Sequence, residues 1–155
     1  MKQIETKDLT KLPHNFQVRF ALFCAYQTNS RWTSVPECVE AMRVVSLWLE
    51  GKASDKECEA ASVAVWAGVT LETDDILLAV AYAAASAAYY DATYAVSAAS
   101  SAAAYATEAC YHSIYHNYSD FFAAKNKLIA GQWDYYHELL HCDAIAEKAL
   151  LGEEI

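Results

Sequence analysis

The chain has 155 residues and a formal charge of −9, long enough for one domain with its own core and too acidic to be drawn to nucleic acid or an anionic membrane surface. Although 55% of its residues are hydrophobic, no apolar run reaches the ~20 residues of a membrane span, and residues 1–11 hold no apolar secretory region. A cytoplasmic, all-α, single-domain bundle of about six helices is expected, with residues 1–13 as a loosely ordered lead-in.

Helix signals follow in chain order. A first helix is predicted over 14–28, with Phe16, Phe20, Leu22 and Phe23 on its apolar side. Ser34-Val35-Pro36-Glu37 reads as an N-cap, a first-turn proline and a capping-box glutamate, opening a helix over 35–50 that buries Val39, Met42, Val45 and Leu49. Ser54-Asp55-Lys56-Glu57 is a second capping box, opening a helix over 55–67 with Ala61, Val65 and Trp66 inward. Thr73, Asp74 and Asp75 place carboxylates at the positive end of a further helix.

From Val69 to Ala130 there is no glycine or proline, and more than half of residues 79–109 are alanine. Such a stretch is helix packed on helix, because alanine favours helix and lets two backbones approach closely. Its tyrosines, among them Tyr82, Tyr94 and Tyr105, supply the large contact area that alanine lacks. A break is expected at Tyr90-Asp91 or at Ser97, Ser100 and Ser101, since Ser and Asp compete for backbone hydrogen bonds. Tyr111, Tyr115, Tyr118 and Phe122 then read as one buried face. Gly51, Gly68, Gly131 and Gly152 each read as a helix stop, leaving a last helix over 132–151 with Trp133, Tyr136, Leu140 and Ala144 inward.

The five cysteines, Cys24, Cys38, Cys58, Cys110 and Cys142, are widely spaced and contain no CxxC pair. They read as small buried hydrophobes rather than a disulfide framework.

His137-Glu138-Leu139-Leu140-His141 spells HExxH, the pattern in which two histidines one turn apart hold zinc and the glutamate acts as base. No histidine follows to complete the ligand set, so an amphipathic helix is the simpler reading and a small zinc-dependent hydrolase the alternative. His112 and His116 repeat the spacing, and four histidines would converge only if the last helices pack antiparallel. No nucleophile elbow or phosphate-cradling glycine loop is present. Neither catalytic nor cofactor-binding nor metal-binding residues are assigned.

Charge is distributed unevenly. Between Glu57 and Ala124 there are eight acidic residues and no lysine or arginine. Asp74, Asp75, Asp91, Glu108 and Asp120, with Tyr94, are the candidate partner-binding residues, on a surface suited to a basic protein.

Several stretches carry a resemblance: Arg19–Tyr26 (RFALFCAY), Val35–Met42, the exit Trp48-Leu49-Glu50-Gly51-Lys52, the segment AAASAAYYDATYA and Gln132-Trp133. In these the chain resembles the alanine-rich immunity-protein family of bacterial polymorphic-toxin loci and phage genomes. It departs from that family in having Ser34-Val35 rather than basic residues before Pro36. The resemblance implies an all-α fold and a non-enzymatic role, binding and inhibiting a toxin, nuclease or defence complex. It names no catalytic residues. A self-associating helical protein, packing copy on copy through alanine and tyrosine, is the remaining alternative.

Overall fold

The computed structural model describes residues 1–28, 35–67, 82–83, 85–88, 92–113 and 118–150, with side chains for all of these except 92–93, 96, 109–113, 118–121 and 145–150. The fold is all-α, and the described residues contain no strand. Among the described residues six helices are bounded, in order: α1 (Thr6–Leu9), α2 (His14–Tyr26), α3 (Pro36–Leu49), α4 (Asp55–Ala67), α5 (Ala92–Ser113) and α6 (Tyr118–Leu150), with further helical residues at 82–83 and 85–88. Among the described residues no helix is long and apolar enough to cross a membrane.

Helix ends follow local chemistry where side chains reach the backbone. Ser54 and Glu57 form the expected capping box, with Ser54 N–H donating to Glu57 Oε2 at 2.7 Å and Glu57 N–H to Ser54 Oγ at 3.2 Å. Gly51, at φ +74°, ends α3 in a Schellman motif: Lys52 N–H donates to the Leu47 carbonyl and Gly51 N–H to that of Trp48. At the start of α3, by contrast, the N-cap is Val35, not Ser34, and Pro36 takes the first helical position. A proline there needs no N–H partner, so the helix begins without a side-chain cap.

The expected break at the serine cluster is corrected: α5 runs unbroken through Ser97, Ser100 and Ser101. Alanines on both sides outweigh the weak local competition of serine. The Tyr90-Asp91 alternative, with Gly68, Thr73, His116 and Gly152, lies outside the described residues.

Gly131 does not stop a helix either. It sits inside α6, which extends from Tyr118, well before the expected start at 132. The reason is a close approach, because a Cβ at Gly131 would lie 3.3 Å from Gln27 Nε2. Gln27 in turn donates to the Leu128 carbonyl at 3.1 Å.

Alanine makes the centre. The inward face of α5 is Ala95, Ala99, Ala102, Ala103 and Ala106, each fully buried, and this helix packs chiefly against α2. Larger side chains fill the space around that seam, notably Phe20 and Val18 of α2, Met42 and Val45 of α3, Val65 of α4, and Leu9. Phe23 of α2 stacks on Tyr135 of α6 at 4.4 Å.

Several residues expected inside are outside. Val39 is 43% exposed, Trp66 44% and Phe122 42%, and Ala144 and Cys142 are exposed as well. In α3 the buried arc is carried by Cys38, Ala41, Met42, Val44 and Val45, so Val39 falls beyond it. In α4 it is carried by Cys58, Ala61, Ser62 and Val65, so Trp66 falls one step past it. Cys24, Cys38 and Cys58 are buried thiols, as expected, and Cys142 is a free exposed one.

The first thirteen residues are not a loose lead-in. Ile4, Leu9 and Leu12 are buried. Trp133 Nε1 donates to the Lys2 carbonyl at 2.7 Å and the Tyr136 hydroxyl to that of Asp8 at 2.8 Å. Three buried apolar side chains, contact of α1 with α5, and the indole and phenol anchors from α6 hold this segment in place, outweighing its polar composition.

Candidate functional site

On the opposite side of α5 from the alanine seam, an exposed stripe repeats at helical spacing. Tyr94, Ser97, Tyr105 and Glu108 are exposed and Ser101 half-buried along one face. Tyr94 is the most open of them, at 63%.

Beside this stripe, Trp66 from the end of α4 and Tyr82, Ala83 and Ser86 from the helical residues 82–83 and 85–88 complete a groove of about 300 Å³. Trp66 and Tyr82 form an inclined pair of walls, ring centroids 5.4 Å apart and planes at 60°. Tyr94 and Tyr105 from α5 stand on the other side, with Ser97 and Ser101 between them. Among the described residues the lining consists of four aromatic side chains, three serine hydroxyls and two alanines, with no charged side chain.

Ser86 is the polar anomaly. It is 2% exposed, and among the described residues its hydroxyl has no hydrogen-bond partner. Helical hydroxyls elsewhere return their proton to a carbonyl a turn back: Ser46 to Met42, Ser62 to Glu59, Thr107 to Ala103. A buried hydroxyl without a partner costs about 1–3 kcal/mol.

The six expected partner-binding residues divide as follows. Tyr94 lines the groove, and Glu108 lies on the same stripe at its far end. Glu108 also lines a second cavity, of about 420 Å³, together with Lys125, Gln3 and Thr107. Asp74, Asp75 and Asp91 lie outside the described residues, and Asp120 belongs to α6 without a described side chain. The ion pairs among the described residues, Glu5–Lys7, Glu40–Arg43 and Glu50–Lys52, are exposed and local, and they involve none of the six.

The HELLH segment lies on α6 with His137, Glu138 and His141 exposed and Leu139 buried. His137 stacks on Trp133 at 5.9 Å and meets Tyr136 edge-on at 5.4 Å. Among the described residues no three His, Cys, Asp or Glu side chains are placed to hold a metal ion. The side chain of His112 is outside that description, as is residue 116.

Trp66, Ser86 and Tyr105 were not legible as site residues. Trp66 reads as core because it neighbours Val65. The one signal for Ser86 is that it is the single polar, non-aromatic residue between Ala79 and Ala88.

No family model, curated protein or solved structure matches this chain. What the fold presents is an all-α protein carrying an aromatic groove, uncharged among its described residues, on an otherwise acidic stretch.

Proposed function

We propose that this chain is a non-enzymatic binding protein of the immunity or counter-defence type that its sequence resembles, and that it inhibits a protein partner with a basic surface. The observation that carries this reading is the outward aromatic face, with Trp66 44%, Tyr94 63% and Tyr105 36% exposed around one groove. Tryptophan and tyrosine are the side chains that most often dominate binding energy, and grouped exposed aromatics mark interaction surfaces.

Charge selects the partner. Every lining residue comes from the stretch between Glu57 and Ala124, which holds eight acidic residues and no lysine or arginine. A basic surface is drawn to such a face and an acidic one repelled. In this reading the acidic charge of that stretch steers the partner and the aromatic groove makes the contact.

The test is affinity capture from the native host with the wild-type protein and with a Trp66→Ala/Tyr94→Ala variant, followed by association kinetics with the purified partner. A partner lost by the variant, with an on-rate that falls as salt rises, supports the reading. A partner retained by the variant at unchanged affinity, or an on-rate flat across ionic strength, contradicts it. Dimers that form in sedimentation and are abolished by the same variant would make the partner a second copy.

A further inference from the structure

We infer that the Trp66–Tyr82–Tyr94–Tyr105 groove is a cage for a guanidinium group, and that an arginine side chain of the partner is its occupant. This deepens the docking reading and rests on it.

Three observations select a cation with N–H donors. The walls are aromatic side chains, with Trp66 and Tyr82 packed together at 60° and their centroids 5.4 Å apart, and Tyr94 and Tyr105 in the same lining. Aromatic faces carry negative potential and attract a cation within about 6 Å. Among the described residues the groove is lined by hydroxyls and by no carboxylate, lysine or arginine, so an anion would find no counter-charge in that lining. Among the same residues the buried Ser86 hydroxyl has no partner, so a purely apolar occupant would leave it unsatisfied.

Guanidinium meets all three conditions. It is planar, so it lies against an indole or phenol face, and its in-plane N–H groups donate to oxygens at the rim. Its hydration is weak, so it enters a confined aromatic space at lower cost than a lysine ammonium. Ser86, Ser97 and Ser101 supply the acceptors. The volume of about 300 Å³ exceeds the space an arginine side chain needs, so the aliphatic stem enters with the head.

The test uses the intact protein and a small probe, N-acetyl-arginine methylamide, with the neutral isostere N-acetyl-citrulline methylamide as control. Binding is read from the Trp66 indole N–H resonance, with Trp133 as internal reference. The expected result is saturable movement of the Trp66 resonance with the arginine probe and at least tenfold weaker response to citrulline. Tyr94→Leu should weaken the arginine response about three- to tenfold. Ser86→Ala should weaken arginine without improving citrulline. The Trp133 resonance should keep its position in both variants, showing that the fold is intact. Equal responses to both probes, or none to arginine, would overturn the cage. That failure is separable from failure of the docking reading, which falls on the partner kinetics and needs no small-molecule binding.

Discussion

Gln3 Nε2 donates to Gln132 Oε1 at 2.7 Å, joining the first residues of the chain to the middle of α6. Gln132 is fully buried, and its own amide donates to Gln27 Oε1 at 3.1 Å and to the Ala103 carbonyl at 3.2 Å. One side chain therefore ties the N-terminal segment, the end of α2, α5 and α6. Thr107 extends the network, its hydroxyl 2.9 Å from both Gln3 Oε1 and the Ala103 carbonyl. Replacing Gln132 by Leu keeps the volume but leaves Gln3 Nε2 and Gln27 Oε1 without the bonds they make to it. The expected loss is about 2–4 kcal/mol, or a fall in Tm of roughly 5–15 °C for a domain of this size. Thermal denaturation followed by circular dichroism checks it, and an unchanged Tm would show the network to be dispensable.

Gly131 gives a prediction of compensation. Glycine inside a helix costs about 1 kcal/mol relative to alanine, so Gly131→Ala would ordinarily stabilise. Here the new Cβ meets Gln27 Nε2 at 3.3 Å, and that amide is held by Leu128 and Gln132. Gly131→Ala alone should leave stability within about 0.5 kcal/mol of wild type, whereas in a Gln27→Ala background it should recover the full helical gain of about 1 kcal/mol. Equal effects in the two backgrounds, measured by urea denaturation, would contradict the close-contact account.

Acid should loosen the start of α4. The Ser54 backbone N–H, and then its hydroxyl, hold the Glu57 carboxyl below its usual value of 4.5. A carboxylate held low in the folded state favours folding above its unfolded value, and that contribution is lost as pH falls through the lowered one. Tm of the wild type should therefore drop more steeply from about pH 5 to about pH 3 than Tm of Glu57→Gln. Parallel curves would show that the capping carboxylate plays no part in acid sensitivity.

Thiol reactivity should follow burial. Burial pushes the Cys38 and Cys58 thiols up to about 11, and that of Cys24 higher than usual, so all three stay protonated near neutrality. Cys142 is exposed and free. Among these four, brief treatment of the native protein with iodoacetamide should label Cys142 first, read by peptide mass spectrometry. Early labelling of Cys24 would show that the α2–α5 seam opens readily.

Much of this architecture is legible in residues 14–67, where caps are local. Ser54 and Glu57 lie three residues apart, and Gly51 needs only its own positive φ. The alanine seam is legible too, since small side chains at helical spacing have few other uses. The N-terminal segment is not, because Ile4, Leu9 and Leu12 are buried through packing on elements far along the chain, α5 among them. Gly131 misleads for the same reason: its partner Gln27 is more than a hundred residues away in sequence. At the site, Tyr94 is legible from its acidic, tyrosine-rich context, but the groove is not. Trp66, Ser86 and Tyr105 meet through tertiary packing, and no spacing rule brings them together.

The most direct measurement is hydroxyl-radical footprinting of the protein alone and in complex with its captured partner, read residue by residue by mass spectrometry. Oxidation of Trp66, Tyr94 and Tyr105 should fall together on complex formation, while Trp133 and Tyr135 keep theirs. Unchanged oxidation at Trp66 and Tyr94, with protection on the Trp133 side of α6, would contradict the assignment of the aromatic groove as the docking site.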